Sequence, residues 1–159
     1  MALEGHAPPL PEYVAGTRPP SAAWMDMRPV DYRPGERRVR LAFTPNDDMC
    51  NFGGTVQGGF LAAMMDDAMG SLTFFALGGR FAPATIDLQT HFYMAVPLEP
   101  IEVEAHLIRA GKAIAFAEAH LYRSDGELAA QARCSMKLRP FRGLQFPSKK
   151  EDEGAADAA

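Results

Sequence analysis

The sequence predicts an α+β domain in which one long, buried helix packs against an antiparallel β-sheet. Three observations predict this class. A proline-free stretch rich in Ala, Leu and Met runs from Gln57 to Leu77, one segment that alternates like a strand precedes it, and four such segments follow it. The 159 residues are enough for one domain with a hydrophobic core of its own.

The first strand is predicted from Arg37 to Thr44, where Val39, Leu41 and Phe43 alternate with other residues. A loop with four glycines follows over residues 45–59. The helix is predicted to end at the glycine pair 78–79, because glycine is the residue that most often terminates a helix.

After the helix the hydrophobic period changes to two. The segments are 84–94, 101–107, 112–123 and 128–138. Ala110-Gly111 and Ser124-Asp125-Gly126 lie where hairpin turns are expected, so the four segments predict an antiparallel meander. In the first segment, one face is predicted to carry Ile86, Leu88, Thr90, Phe92 and Met94.

Both ends of the chain differ in composition from the centre. Residues 1–22 hold five prolines without periodicity and predict a flexible arm, and residues 149–159 predict a disordered acidic tail, so that the domain spans 23–148. The net charge of −4 belongs to residues 151–159, which hold four carboxylates and no basic residue, and residues 1–150 carry equal numbers of acidic and basic residues. This balance argues against nucleic acid or an anionic membrane as a partner.

The remaining composition predicts a cytoplasmic protein. No apolar run approaches the roughly 20 residues of a membrane span, and the first residues lack the pattern of a signal peptide. The two cysteines, Cys50 and Cys134, cannot form a disulfide framework, and the four histidines show no metal-ligand spacing. We therefore expect neither a metal nor a redox cofactor.

Asp66 lies on a stripe of small residues along the predicted helix. Placed at 100° per residue, the stripe comprises Gly59, Ala62, Ala63, Gly70 and Thr73, and the core side comprises Phe60, Leu61, Met64, Met65, Leu72 and Phe75. Asp66 and Asp67 are the only ionisable residues of this helix, which indicates that it is mostly buried and that a carboxylate on it lies at an interface or a site. A solvated outer-face aspartate is the alternative, and Asp67 is the weaker candidate.

The glycines at the start of the helix predict a second functional group. The N–H groups of Gly58 and Gly59 have no partner within the helix, so they can polarise a carbonyl or simply belong to a tight turn. Gly58 and Asp66 are eight residues apart, or about 12 Å along a helix. If both groups act on one bond, they must come from different subunits, which predicts a dimer with a shared site.

The segment Asn51-Phe-Gly-Gly-Thr-Val-Gln57-Gly58-Gly59, followed by Asp66-Asp67-Ala-Met-Gly70, resembles the signature of hotdog-fold acyl-CoA thioesterases. The pattern N-x-x-G-x-x-H-G-G-x6-D of the phenylacetate-degradation-type branch is the most similar, and the likeness covers roughly residues 35–139. The resemblance implies an antiparallel sheet wrapped around a central helix, with homodimers or dimers of dimers and sites between subunits.

By this resemblance, Asp66 is the general base or nucleophile, the Gly58 N–H binds the thioester carbonyl, and Asn51 assists. Thr85 falls near a position that orients water, Gln57 and Gly59 lie beside the substrate, and Arg109 and Lys112 lie where basic residues meet coenzyme A phosphates or, equally, form a solvated hairpin tip. Gln57 replaces the usual histidine of the family and cannot carry a proton at neutral pH.

The hypothesis is an acyl-CoA thioesterase that hydrolyses a thioester to a carboxylic acid and free coenzyme A. A non-catalytic acyl-CoA-binding or regulatory protein is the alternative that Gln57 permits. A hotdog enoyl-CoA hydratase or dehydratase is less favoured, because such enzymes pair an acidic residue with a histidine, and neither the glycine-rich loop nor the helix contains one.

Overall fold

A computed structural model describes residues 18–143 of the chain. Within this range, six strands form one antiparallel sheet, and a long helix packs against it. In chain order the elements are α1 (Pro20–Trp24), β1 (Arg28–Arg33), β2 (Arg38–Phe43), α2 (Gly58–Ala76), β3 (Phe81–Phe92), β4 (Ile101–Ala110), β5 (Ile114–Tyr122) and β6 (Leu128–Pro140). The α+β class and one long helix agree with the prediction.

The order of the strands differs from the predicted meander in one respect. The sheet order is β1-β2-β4-β5-β6-β3, so β4, β5 and β6 form a meander as expected, but β3 pairs with β6 at the far edge. A four-strand meander was therefore the wrong topology. Nothing in the alternation of a strand specifies its partner, and the connection of eight residues between β3 and β4 is long enough to cross the end of the sheet.

Helix α2 has the bounds that the sequence predicts. Gln57 is its N-cap and Leu77 its C-cap, and Gly78 and Gly79 follow with positive φ. The core side is also confirmed, because Leu61, Met64, Met65, Leu72 and Phe75 are buried and Phe60 is half-buried against them. On the stripe, Gly70 lies beside the ring of Pro83 in β3, and a Cβ on this glycine would be 3.9 Å from Pro83 Cγ.

Strand β3 contains an irregularity that changes which residues face the helix. Thr85 pairs with Met136 and Asp87 pairs with Ser135, so the intervening Ile86 is an extra residue, a β-bulge. As a result Thr85, although exposed at this sheet edge, lies on the inner face with the buried Met136, and Ile86 is 59% exposed. The prediction that Ile86 shares one regular face with Leu88 is therefore wrong, and Leu88 packs against the core.

Two further elements lie before the predicted first strand. Helix α1 begins at Pro20 and therefore spans the predicted boundary at residue 22, with Ala22 buried and the Trp24 ring 5.5 Å from that of Phe60. Strand β1 was missed, because its residues alternate poorly and include Pro29. The rest of the predicted arm and the acidic tail lie outside the described residues. No helix within 18–143 is long and apolar enough to cross a membrane.

Candidate active site

The carboxylate of Asp66 and the hydroxyl of Thr85 form the centre of the candidate site. The Thr85 Oγ1 donates a hydrogen bond of 2.8 Å to Asp66 Oδ1, which joins the middle of α2 to the edge strand β3. The bulge at Ile86 makes this contact available, because it places Thr85 rather than its neighbour on the inner face. The sequence predicts both residues, and the structure brings them together.

The neighbouring carboxylate has a different environment. Oδ2 of Asp67 is buried and has no hydrogen-bond partner within residues 18–143. Burial and the nearby charge of Asp66 raise the pKa of Asp67 from 3.8 to about 6. Burial, with the charge of Asp66 as a second cause, also raises the pKa of the Cys134 thiol to about 12. Cys134 is therefore a buried, unreactive thiol close to the candidate carboxylate.

The first turn of α2 presents a backbone donor. The Gln57 side chain folds back so that its Oε1 accepts the N–H of Gly59 at 2.7 Å. In contrast, the N–H of Gly58 meets no acceptor anywhere in the described part of the chain. Gln57 and Gly59 are thus committed to the helix cap, and Gly58 is the one that offers a free donor at the positive end of the helix.

The Asn51 side chain is used mainly to close the loop before α2. Its Oδ1 accepts the N–H groups of Gly53 at 2.8 Å and Thr55 at 3.2 Å, and its Nδ2 donates to Thr55 Oγ1 at 3.0 Å. These bonds shape the turn and leave Phe52 fully exposed at its tip. Asn51 therefore stabilises the loop that leads to Gly58, and only one hydrogen of its side-chain amide is left for another acceptor.

A residue that the sequence did not single out lies against Gly58. The ring of Phe92, the last residue of β3, lies 3.4 Å from the point where a Cβ on Gly58 would be. The alternation predicts that Phe92 faces inward, but it does not predict which turn of the helix the ring meets. Gly58 and Phe92 thus mark one end of the α2–β3 contact, and Asp66 and Thr85 mark its middle.

Gly58 and Asp66 are not brought together within one chain. Helix α2 is continuous from one residue to the other, so their eight-residue separation corresponds to about 12 Å along its axis. A single carbonyl group cannot reach both from the same protomer. The folded chain therefore has the separation of Gly58 and Asp66 that the sequence predicts.

Two predicted basic residues lie apart from this centre. Arg109 and Lys112 are exposed near the turn between β4 and β5. Strand β4 is three strands away from β3, or about 14 Å at the usual strand spacing. Neither residue contacts Asp66 or Thr85, so their predicted role toward coenzyme A phosphates finds no support from proximity within one chain.

The described residues contain a cavity, but no cluster of potential metal ligands. The cavity has a volume of about 310 Å³ and lies at the C-terminal end of α2, between Ala76, Leu107 and Arg37, away from Gly58. Within residues 18–143, no group of three His, Cys, Asp or Glu side chains is arranged to hold a metal ion.

Comparison with known proteins shows similarity to thioesterases and esterases in sequence. Residues 53–130 match the family model of the thioesterase superfamily. A candidate esterase of Thermoplasma acidophilum is 23% identical over 97 residues, which cover 61% of this chain and 73% of that protein.

Solved structures agree with this match. A candidate thioesterase of Ralstonia eutropha, described as phenylacetic acid degradation-related, superposes with a TM-score of 0.73 at 24% identity, over 79% of this chain and 96% of its own. Zebrafish thioesterase superfamily member 2 gives 0.67 at 22%, over 80% and 91%.

A Streptococcus mutans protein solved with acetyl CoA gives a TM-score of 0.64 at 15% identity, over 74% of this chain and 91% of its own. At such identities the solved structures establish the fold alone. Together with the family match they agree with the resemblance: the chain has the hotdog fold, and its residues 53–130 match the thioesterase superfamily.

Proposed function

We propose that this protein is an acyl-CoA thioesterase, which hydrolyses a thioester to a carboxylic acid and free coenzyme A. The observation that carries the proposal is the hydrogen bond from Thr85 to Asp66, because it orients a carboxylate on a helix that is otherwise almost without charge. The superfamily match and the acetyl CoA in the Streptococcus mutans relative support coenzyme A thioesters as the substrate class.

In this proposal, Asp66 acts as a general base toward water or as a nucleophile. With Oδ1 held by Thr85, Oδ2 is the oxygen available to take a proton from a water molecule. The water oxygen attacks the thioester carbonyl carbon, the carbon–sulfur bond breaks, and the thiolate leaves with the bonding electrons. The Gly58 N–H donates to the carbonyl oxygen while negative charge develops there.

Gln57 fits this chemistry as a positioning residue. By accepting the N–H of Gly59, it caps α2 and leaves the neighbouring amide of Gly58 to the substrate. A thiolate leaves without a strong acid, so the proton that a histidine would carry at this position is not required. Glutamine in place of histidine at position 57 is therefore compatible with hydrolysis.

The two groups act across a dimer in this proposal, through the free edge of β3. Within residues 18–143 no strand lies beyond this edge. The inner-face residues of β3 are Thr85, Leu88, Thr90 and Phe92, and two antiparallel copies keep matching faces if Phe92 of one meets Thr85 of the other. Because Ile86 is an extra residue and is not counted in the pairing, the two-fold axis then passes through Gln89.

This register supports a shared site. Phe92 covers Gly58 and Thr85 binds Asp66, so the pairing brings the free amide of one protomer toward Asp66 of the partner subunit. Each dimer would contain two equivalent sites. A further association into a dimer of dimers is proposed on the family resemblance alone.

The test is thiol release from a panel of short, medium, long and aromatic acyl-CoAs. Asp66→Asn keeps the shape of the side chain and is expected to lower kcat by about 10²- to 10⁴-fold. Asp67→Asn is the matched control, because it removes the adjacent carboxylate that Thr85 does not contact, and its rate is expected to stay within about threefold. Equal rates for wild type and Asp66→Asn would contradict the role of Asp66.

The commitment of the Asn51 carbonyl to its own loop favours one other function, a non-catalytic acyl-CoA-binding protein. This function predicts that the wild type binds acyl-CoA, measured by calorimetry, without releasing thiol from any member of the panel. Turnover that depends on Asp66 would exclude it.

The reducing cytoplasm is the compartment we propose for this activity. Its support is the state of the two cysteines, which are both free, with Cys50 exposed and Cys134 buried.

A further inference from the structure

We infer that Phe92 determines acyl specificity: its ring limits the size of the group that can lie beside the Gly58 amide. This inference rests on the proposed function, since it assumes that the Gly58 N–H holds the thioester carbonyl. It concerns which acyl groups enter and not whether hydrolysis occurs, so the two can be tested apart.

The first support is the direction from which the ring approaches. The ring atoms nearest to a Cβ placed on Gly58 are Cζ at 3.4 Å, Cε2 at 3.5 Å and Cε1 at 3.7 Å. The tip of the ring therefore points at the glycine, and its two faces extend away from the helix. A Cβ on Gly58 would meet the ring at van der Waals distance, so the ring lies directly beside the start of the helix.

The second support is that the chain itself leaves the ring uncovered. Phe92 is 47% exposed, although it lies on the inner face of β3 opposite the small, buried Ala130. A side chain that served only the core would be covered, as Leu88 partly is on the same face. An exposed ring beside a free backbone donor has a surface that an apolar ligand can contact.

The ring also lies on the path between the two proposed reacting groups. In the register with its axis at Gln89, Phe92 faces Thr85 of the partner subunit across the dimer. An acyl group bound between Gly58 and Asp66 of the partner subunit must pass the ring. A bulky substituent next to the carbonyl would collide with it, whereas a small one would pack against it.

The experiment compares kcat/KM for a small acyl group, acetyl-CoA, and a bulky one, benzoyl-CoA. Phe92→Ala is expected to raise the ratio of benzoyl to acetyl activity at least about tenfold, because shape discrimination by an apolar wall is worth about 1–3 kcal/mol. Phe92→Leu, which retains most of the volume, is expected to change the ratio by less than about threefold. Size-exclusion chromatography shows whether each variant keeps the wild-type assembly.

Tyr93→Ala is the matched control. Tyr93 is the next residue, it is 54% exposed, and its hydroxyl donates to Gln131 on the outer face of the sheet. Its removal should leave the ratio unchanged. An unchanged ratio in Phe92→Ala and Phe92→Leu, or an equal change in Tyr93→Ala, would overturn the inference.

A wild type without turnover on any acyl-CoA would contradict the proposed function rather than the role of Phe92. The same ratio is then obtained from the dissociation constants of S-ethyl-CoA and S-benzyl-CoA, thioethers that cannot be hydrolysed. If Phe92→Ala favours the benzyl compound by at least about tenfold relative to wild type, the inference holds for a binding protein; an equal preference overturns it.

Discussion

The two edges of the sheet are built in opposite ways. At the β1 edge, Asp31 accepts from Arg33 at 2.9 Å and from Arg38 at 3.1 Å, and Pro29 interrupts the row of amide donors. At the β3 edge, the strand has twelve residues, and no ion pair within residues 18–143 involves its side chains. Ile86 and Phe92 are exposed there instead.

The difference indicates which edge is available for pairing. Charges, a proline and a bulge are the usual means by which a protein prevents an edge strand from accepting another strand, and β1 has all three. Strand β3 also has a proline, Pro83, and a bulge, but both lie in its first half, and the bulge turns Thr85 toward Asp66. The β1 edge is thus protected throughout, whereas residues 88–92 of β3 contain no proline, bulge or ion pair and adjoin the candidate site.

The largest effect is expected when β3 is cross-linked at the proposed two-fold axis, because this tests directly whether the β3 edge pairs with a second copy. In a Cys50→Ser background, Gln89→Cys is expected to form a covalent dimer almost completely on mild oxidation, because residues facing each other across an antiparallel pair lie about 5 Å apart. Non-reducing electrophoresis measures the yield.

His91→Cys is the control for the cross-link. It lies on the same face two residues away, and in the proposed register the two copies of residue 91 are about 13 Å apart. It should remain monomeric on the gel. Equal cross-linking of the two variants would contradict the register.

Loss of the Thr85 hydroxyl should have the next largest effect. Thr85→Val keeps the shape but removes the bond to Asp66, and kcat is expected to fall about 10- to 100-fold, since a hydrogen bond to a charged group is worth about 1.5–3 kcal/mol. Thr85→Ser should restore most of the rate. Thr90→Val, on the same face of β3, is the control and should change kcat less than twofold. A slow Thr85→Ser would indicate that packing, rather than the hydroxyl, matters.

At the β1 side, the ion pairs should contribute to stability and not to rate. Burial alone would raise the pKa of Glu104, but hydrogen bonds from His106 and Arg40 and the charges of Arg38 and Arg40 lower it to about 2. A lowered pKa stabilises the fold above the ordinary value of 4.5, and this contribution is lost as the pH falls toward 2. Glu104→Gln should therefore lower the free energy of unfolding by about 2 kcal/mol at pH 7, and less at pH 3.

The matched control for Glu104 is its neighbour Glu102. That residue contacts Arg40 at 3.5 Å and its side chain is 45% exposed, so Glu102→Gln should cost less than about 0.5 kcal/mol in urea unfolding. Similar losses for the two variants would show that burial of the ion pair is not the cause.

The smallest effect is expected at Asp67. Its pKa is raised to about 6, so the charged form is disfavoured in the folded state, and stability is lost as the pH rises from about 4 through 6. Asp67→Asn should raise the Tm at pH 8 by a few degrees, and this difference should disappear below pH 4. A lower Tm at pH 8 would reveal a cation near Asp67, for which the described residues provide no contact.

Local features of the fold could be predicted from the sequence. The bounds of α2 follow from the loop glycines before it and the glycine pair after it, and β4, β5 and β6 follow from alternation and their turns. Strand partners are set by contacts between residues distant in the chain, so β3 was assigned the wrong neighbour. Strand β1 is stabilised by pairing with β2 and by ion pairs, and neither is visible as periodicity.

In the candidate site, too, single residues could be predicted from local sequence, whereas contacts between distant residues could not. Asp66 and Gly58 could be identified because the helix has no ionisable residue besides Asp66 and Asp67 and because a glycine pair begins it at the spacing of the thioesterase signature. The contact between Thr85 and Asp66 depends on the bulge, for which the residues Thr85, Ile86 and Asp87 give no turn signal. The position of Phe92 against Gly58 depends on how the helix crosses the strand, which periodicity does not contain.

The bulge at Ile86 divides β3 into two segments whose inward-facing side chains have opposite parity. Even-numbered side chains face inward over residues 87–92, and odd-numbered side chains face inward over residues 81–85. Deletion of Ile86 would remove the bulge and still leave Thr85 paired with Met136 and Asp87 with Ser135. A regular strand with the present sequence would instead bring Ile86 to the place where Thr85 now lies against Asp66. The hydroxyl is therefore in the site because the edge strand accommodates one residue more than its partner.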